Sequence, residues 1–158
     1  MTNGNFWIVA ALAALFIVRA DIVWAEAAGN HSELARADVL VKQGSDKQKV
    51  GAYAESERLL REALAVRSRF LPPGDTQIGQ ALNDLGVALF HPSRFEEAES
   101  MYKQALDVFA KGAARAPERA GVLGNLGSLY RERRNFDAAE RVYGELFALF
   151  QEPGAVHE

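Results

Sequence analysis

No cysteine occurs in the 158 residues, which removes at once a disulfide framework, a thiolate nucleophile and any cysteine-based zinc site. Histidine is nearly as scarce. His31, His91 and His157 have no carboxylate or second histidine at metal-ligand spacing, and His91, set before Pro92, reads as a turn residue. An excess of basic charge is missing too: 18 Lys and Arg against 21 Asp and Glu leave a net charge of -3, which gives no broad cationic field for nucleic acid or anionic lipid. No constellation of nucleophile, base and orienting group converges, so the chain reads as non-catalytic and without a cofactor or metal. The spaced glycines Gly121, Gly124 and Gly127 follow no strand and cannot form a dinucleotide loop. Glu96, Glu97 and Glu99 cluster at a helix start, where carboxylates meet the positive end of the helix dipole.

One long hydrophobic run is present, and it lies at the start. Phe6 to Val18 is uncharged and apolar over 13 residues, about 20 Å of helix against the roughly 30 Å that a membrane-spanning helix must cross. That length suits the core of an export signal. Ala25-Glu26-Ala27 fits the small-x-small cleavage pattern, so residues 1–27 are expected to be a signal peptide cut after Ala27, with Ala25 as second choice. No Lys or Arg precedes the run. The alternative is an uncleaved membrane anchor over residues 6–28, with Arg19 snorkelling to the interface. Export to the periplasm or beyond is the expectation, and attachment to the inner membrane its alternative.

The rest of the chain repeats itself. "RFEEAESMYKQALDVF" (Arg94 to Phe109) returns 41 residues later as "NFDAAERVYGELFALF" (Asn135 to Phe150), placing Phe95 on Phe136, Ala98 on Ala139, Glu99 on Glu140, Tyr102 on Tyr143 and Leu106 on Phe147. A weaker copy lies 42 residues upstream, where Tyr53, Ser56, Glu57, Leu60 and Leu64 fall in the same row. The apolar positions sit on one face of an amphipathic helix. The small residue in each row, Ser56, Ala98 or Ala139, predicts that another helix passes close by.

The segments ahead of these copies supply that other helix. "ALNDLGVALF" (Ala81 to Phe90) aligns with "VLGNLGSLY" (Val122 to Tyr130), Gly86 falling on Gly127. Glycine inside a helix costs about 1 kcal/mol against alanine, so a glycine at the same place twice predicts close helix crossing. His91 to Arg94 and Arg131 to Asn135 are short enough to force antiparallel neighbours. Pro72, Pro73 and Gly74 stop one hairpin, Asp75 or Thr76 caps the next helix, and Pro117 fits a first helical turn.

Leu82-x-x-Leu85-Gly86-x-x-Leu89 followed by Phe95-x-x-Ala98-Glu99-x-x-Tyr102-x-x-Ala105 resembles the tetratricopeptide repeat, and Leu123 to Leu146 resembles it again, with Leu146 in place of the expected alanine. The 41 to 42 residue period and the "LPPGDT" linker are similar to the kinesin-light-chain-like subclass. The resemblance implies an all-α fold: antiparallel hairpins stacked as a short right-handed solenoid, a linker at 28–37, about three hairpins over 38–151 with the first degenerate, and a tail at 152–158. In the first hairpin Gln43 and Lys47 stand where leucines are expected.

It also implies a protein or peptide partner held in a concave groove lined by the first helix of each hairpin. By register the groove-facing residues are Asn83, Asp84, Val87 and Phe90, then Gly124, Asn125, Ser128 and Arg131. The opposing reading has Asn83 and Asn125 merely tying helix to helix. The chaperone-binding subclass clamps a carboxylate, and the matching places here hold Val41, Ser45, Asp84, Gly121 and Asn125; only Asn125 conforms, so chaperone termini are not the expected ligand. Arg131, Arg133 and Arg134, the one dense basic cluster, read as a solvated turn, with an acidic-peptide contact as the alternative. Val142, Leu146, Phe147, Leu149 and Phe150 are expected to leave an apolar end exposed. That end would allow a homodimer through the C-terminal helix, or a structural capping subunit.

Overall fold

The structure, a computed structural model, describes residues 28–112, 114 and 116–151. The signal or anchor segment expected over 1–27 and the tail over 152–158 lie outside the described residues. Two compact units divide the chain, 1–35 and 36–158. Residues 28–35 of the first are helical. The linker expected at 28–37 is therefore helix: past Gly29 and Asn30 the chain runs through Glu33, Leu34, Ala35, Arg36 and Ala37, all strong helix formers.

In the second unit the described regular structure is all α-helical: α1 (residues 36–49), α2 (Tyr53–Phe70), α3 (Thr76–Phe90), α4 (Phe95–Lys111), α5 (Ala116–Glu132) and α6 (Phe136–Leu149). They pair as three hairpins, α1 with α2, α3 with α4 and α5 with α6. The degenerate first hairpin is helical throughout, although Gln43 is exposed. The other first helices, α3 and α5, pack against one another, and α4 packs against α5.

The same turn is built three times. Gly51, Ser93 and Arg134 have left-handed backbones, with φ of 74°, 62° and 57°. At each, the residue's own N–H donates to the carbonyl three back (Gln48, Phe90, Arg131) and the next N–H donates to the carbonyl five back (Lys47, Leu89, Tyr130), all at 2.9–3.0 Å. This pattern closes a helix by satisfying its last carbonyls. Glycine fits it without strain in the first turn. Ser93 and Arg134 adopt the same backbone at a cost of about 1 kcal/mol each. Into the next helix the N–H groups of Ser56, Ala98 and Ala139 donate to Ala52, Arg94 and Asn135. Asp75 caps α3 by accepting from the Gln77 N–H at 2.8 Å, and Asn135 caps α6 by accepting from Ala138 at 3.2 Å.

Close crossing inside each hairpin uses glycine, and the second hairpin uses two, since a Cβ added at Gly79 would lie 2.2 Å from Phe109 Cε1. A Cβ added at Gly86 would lie 2.5 Å from Tyr102 Cε1, one at Gly127 2.5 Å from Tyr143 Cε1, and one at Gly44 2.8 Å from Leu60 Cγ. The ring or branched chain of the second helix fills the space the missing side chain leaves. Ser56, Ala98 and Ala139 are buried as the repeat predicts. The main core joins Leu60 to both later hairpins through Leu82, Leu85, Leu89, Tyr102, Phe109, Leu123, Leu126, Leu129 and Val142. A smaller cluster of Ala37, Leu40, Leu59 and Ala63 closes the first hairpin. Full burial of side chains of this size contributes about 1.5–3 kcal/mol each.

Two expectations about the apolar surface change. Val142 and Leu149 are buried rather than exposed, because both turn inward onto α5, and Leu146 packs partly against the core. Phe136, aligned with half-buried Phe95, is 60% exposed. The exposed apolar patch on α6 thus narrows to Phe136, Phe147 and Phe150.

Candidate functional site

α1, α3 and α5 lie side by side and carry a ladder of side-chain amides. Gln48 Nε2 donates to the Asp84 carbonyl oxygen at 2.7 Å, and Asn125 Nδ2 donates to Asn83 Oδ1 at 2.9 Å. Asn83 and Asn125 thus bond to each other across α3 and α5. Their donors and acceptors are partly engaged with each other, so the surface they share is narrower in chemistry than two free amides would be.

Beside this ladder is a pocket of about 330 Å³ lined by Val41, Arg67, Gln80, Asn83, Asp84, Phe109, Pro117, Glu118, Gly121 and Val122. The structure brings two of the expected residues, Asn83 and Asp84, to it. The others lie apart from it: Val87 and Phe90 pack against the core, Ser128 Oγ is 3.5 Å from Tyr143 Oη, and Arg131 is exposed at the end of α5. Phe90 also meets Phe95 and His91 edge to face, at 5.7 and 5.4 Å between centroids.

Arg67 is the residue that register alone does not reveal. It occupies the place that Phe109 and Phe150 hold in the later hairpins. Its guanidinium is buried and bridges three helices, donating from Nη2 to Asp38 at 2.7 Å and from Nη1 to the Gln77 carbonyl at 2.9 Å. Nε has no hydrogen-bond partner among the described residues. An aromatic replaced by arginine turns an apolar corner into a charged one, and its partner Asp38 stands where Gln80 and Gly121 stand later. The sequence signal is this one mismatch within the repeat.

Burial pushes the Asp84 carboxyl above its ordinary value, opposed by a hydrogen bond from Asn83 and by the Arg67 charge. The same burial, helped by the Asp84 charge, pushes the Tyr102 phenol well up. The pocket thus offers Arg67 as a cationic wall, Asp84 and Glu118 as acceptors, the Gln80 amide, and the apolar surface of Val41 and Val122. Gly121 is exposed, and a side chain placed there would meet nothing within 4 Å. Both signs of hydrogen-bonding group beside apolar contact match a peptide backbone with its side chains. Among the described residues no group of three or more His, Asp and Glu could hold a metal.

The basic cluster divides. Arg133 donates to Glu99 Oε2 at 3.0 Å and pairs with Glu96 at 3.0 Å, whereas Arg131 and Arg134 are exposed. Glu99 also accepts from the Tyr130 hydroxyl at 2.8 Å and from Lys103 at 2.7 Å. Glu57, its equivalent on α2, accepts from Arg94 at 2.6 Å. These glutamates pin one hairpin to the next, a role beyond the helix-dipole reading. The hydrogen bonds hold the Glu57 and Glu99 carboxyls below their ordinary values in spite of burial, the largest single influence on each.

Two family models, both described as tetratricopeptide repeat, match residues 34–111 and 119–152. The chain belongs to the tetratricopeptide repeat family. Its repeats are of the kinesin-light-chain-like kind. It is similar to BtubC (BKLC) from P. vanneervenii, with 18% identity, a TM-score of 0.70, and coverage of 87% of this chain and 58% of that one. It is similar also to the TPR domain of Arabidopsis FLU, at 18% identity, TM-score 0.65 and coverage of 77% and 98%. A putative kinesin light chain of Podosopora anserina with nearly identical TPR-like repeats gives 18%, 0.65, 75% and 57%. The chain thus spans well under two thirds of BtubC and of the kinesin light chain, and at these identities the likeness is one of fold. No curated protein sequence matches it.

Proposed function

We propose that this chain is a non-catalytic binding module, exported to the cell envelope, that holds a peptide or protein subunit against α1, α3 and α5. Tetratricopeptide repeat domains generally mediate protein–protein interactions, and the observation that carries the reading here is the mixed-charge pocket around Arg67, Gln80, Asp84 and Gly121. Asn83 and Asp84 line it, with Asn125 beside Asn83 and Val87, Phe90, Ser128 and Arg131 extending the contact along the inner helices. Export rests on the apolar run Phe6 to Val18 and on Ala25-Glu26-Ala27; no helix among the described residues is long and apolar enough to cross a membrane. Intact mass of the protein recovered from cells tests it, since cleavage after Ala27 or Ala25 gives two distinct masses and an uncleaved anchor a third.

Gly121→Arg tests the groove. The new side chain enters open space and replaces a helical glycine, so the fold should gain up to about 1 kcal/mol, while the pocket is filled. Capture of a partner from envelope extract should fall at least tenfold with no loss of melting temperature. Undiminished capture would remove the pocket from the binding surface.

A further inference from the structure

The repeat places equivalent side chains at three successive levels, and the two outer levels are uncovered in complementary ways. Val39 on α1, Ala81 on α3 and Val122 on α5 share one register. Val122 and Ala81 are 2% and 0% exposed, whereas Val39 is 55% exposed. Each of the three helices has its hairpin partner, so the difference comes from the preceding hairpin, which among the described residues only the later two have. On the second helices the relation is reversed. Phe109 is 3% exposed, but Phe150, in its register, is 49% exposed, and Phe147, in the register of half-buried Leu106, is 67% exposed. The face that α5 covers on α4 recurs on α6 with Phe147 and Phe150 uncovered.

Charge follows the same rule. Glu57 and Glu99 accept from the hairpin that comes after them, through Arg94 and through Tyr130 with Arg133. Glu140, the third in the row, is exposed. The place of Tyr130 in the first hairpin is taken by Lys47, beside exposed Val50 and Lys49; Lys47 now pairs with Glu55 at 2.9 Å. A cation stands at the first level and its acid at the last.

We infer that the α6 face of one copy docks on the α1 face of another. Phe147 and Phe150 take Val39 on the α6 equivalent of the face that α4 presents to α5, where Phe109 and Val122 line one pocket, and Glu140 meets Lys47 as Glu99 meets Tyr130. Such a contact is heterologous, so it does not close on itself and propagates from copy to copy. It uses the ends of the stack and leaves the groove surface of α3 and α5 free.

The test uses the full 158-residue chain in mild detergent, expressed with two different affinity tags. Wild type should capture wild type. Val39→Glu and Phe147→Glu, both at exposed sites and therefore expected to keep the wild-type melting temperature, should each fail to capture themselves by at least tenfold. Mixed together they should capture each other, because one retains the α6 face and the other the α1 face. Glu140→Lys should weaken self-capture, and Lys47→Glu in the same chain should restore it. Self-capture by Val39→Glu would show a symmetric α6-to-α6 contact and overturn the proposal, as would failure of the mixed pair or absence of wild-type self-capture; loss of melting temperature in Val39→Glu would move the test to Lys47→Glu mixed with Glu140→Lys.

Discussion

Alanine placed at Gly86 and at Gly124 should move stability in opposite directions. The two glycines lie in the first helices of successive hairpins, and alanine is favoured over glycine in a helix by about 1 kcal/mol at either. Around Gly124 a Cβ meets nothing within 4 Å, so the propensity gain should appear in full. At Gly86 the Cβ would stand 2.5 Å from Tyr102 Cε1, 2.7 Å from Cδ1 and 3.0 Å from Cζ, against about 3.5–4.0 Å for an ordinary carbon contact. The ring must retreat by about 1 Å to restore that distance. Tyr102 is enclosed, 1% exposed, so it can retreat only by moving α4 against α3 and α5. Overpacking of this kind costs about 1–3 kcal/mol. After the propensity gain the net change for Gly86→Ala is a loss of about 0–2 kcal/mol, against a gain of about 1 kcal/mol for Gly124→Ala. Gly127→Ala should fall between, since Tyr143 is only half-buried and can swing outward. Urea unfolding followed by helical circular dichroism gives the midpoints. Should Gly86→Ala prove as stabilising as Gly124→Ala, the glycine is not what lets these helices approach.

Other changes test separate parts of the account. Ser93→Gly and Arg134→Gly should each stabilise by about 0.5–1 kcal/mol by relieving a left-handed backbone, whereas Gly51→Ala should destabilise by about 1 kcal/mol; thermal denaturation reads all three. Glu99→Gln should cost about 1–2 kcal/mol through its hydrogen bonds to Tyr130 and Arg133, while Glu140→Gln changes stability by less than about 0.5 kcal/mol. Equal effects in a urea titration would sever the link between this acid and the next hairpin. Burial raises the Asp84 carboxyl above 3.8, so the folded chain holds that proton more tightly than the unfolded chain, and ionisation weakens the fold as pH climbs through the raised value. Asp84→Asn should accordingly raise the urea midpoint at pH 7, with the advantage fading as pH falls toward 3.8; an advantage independent of pH would assign the gain to packing.

The fold was legible because repetition supplies its own alignment. Three rows at offsets of 41 and 42 residues located the helices, the glycine crossings and the buried small residues without reference to anything outside the chain, and the linker narrowed the α3 cap to Asp75 or Thr76. What register hides is departure from the repeat. Arg67 in an aromatic place builds the charged wall of the pocket, and nothing in its helical pattern distinguishes it from a solvated arginine. Asn83 and Asn125 lie on the inner helices, but one sequence cannot say whether two amides reach each other; they do, at 2.9 Å. Val142 and Leu149 looked exposed because the last helix has the same apolar row as its predecessors, yet those two residues face the partner helix, and Phe136, Phe147 and Phe150 face away.

Attaching a photoactivatable side chain at position 121 and, separately, at position 144 tests the claim that partners bind on the first helices. Both are exposed helical glycines with open space around the added group, one beside the pocket on α5 and one on α6. Irradiation in cells should give a discrete adduct with a different protein from position 121 and, from position 144, none except with a second copy of the chain. Adducts with a different protein in equal yield from both, or from position 144 alone, would contradict a groove on α1, α3 and α5.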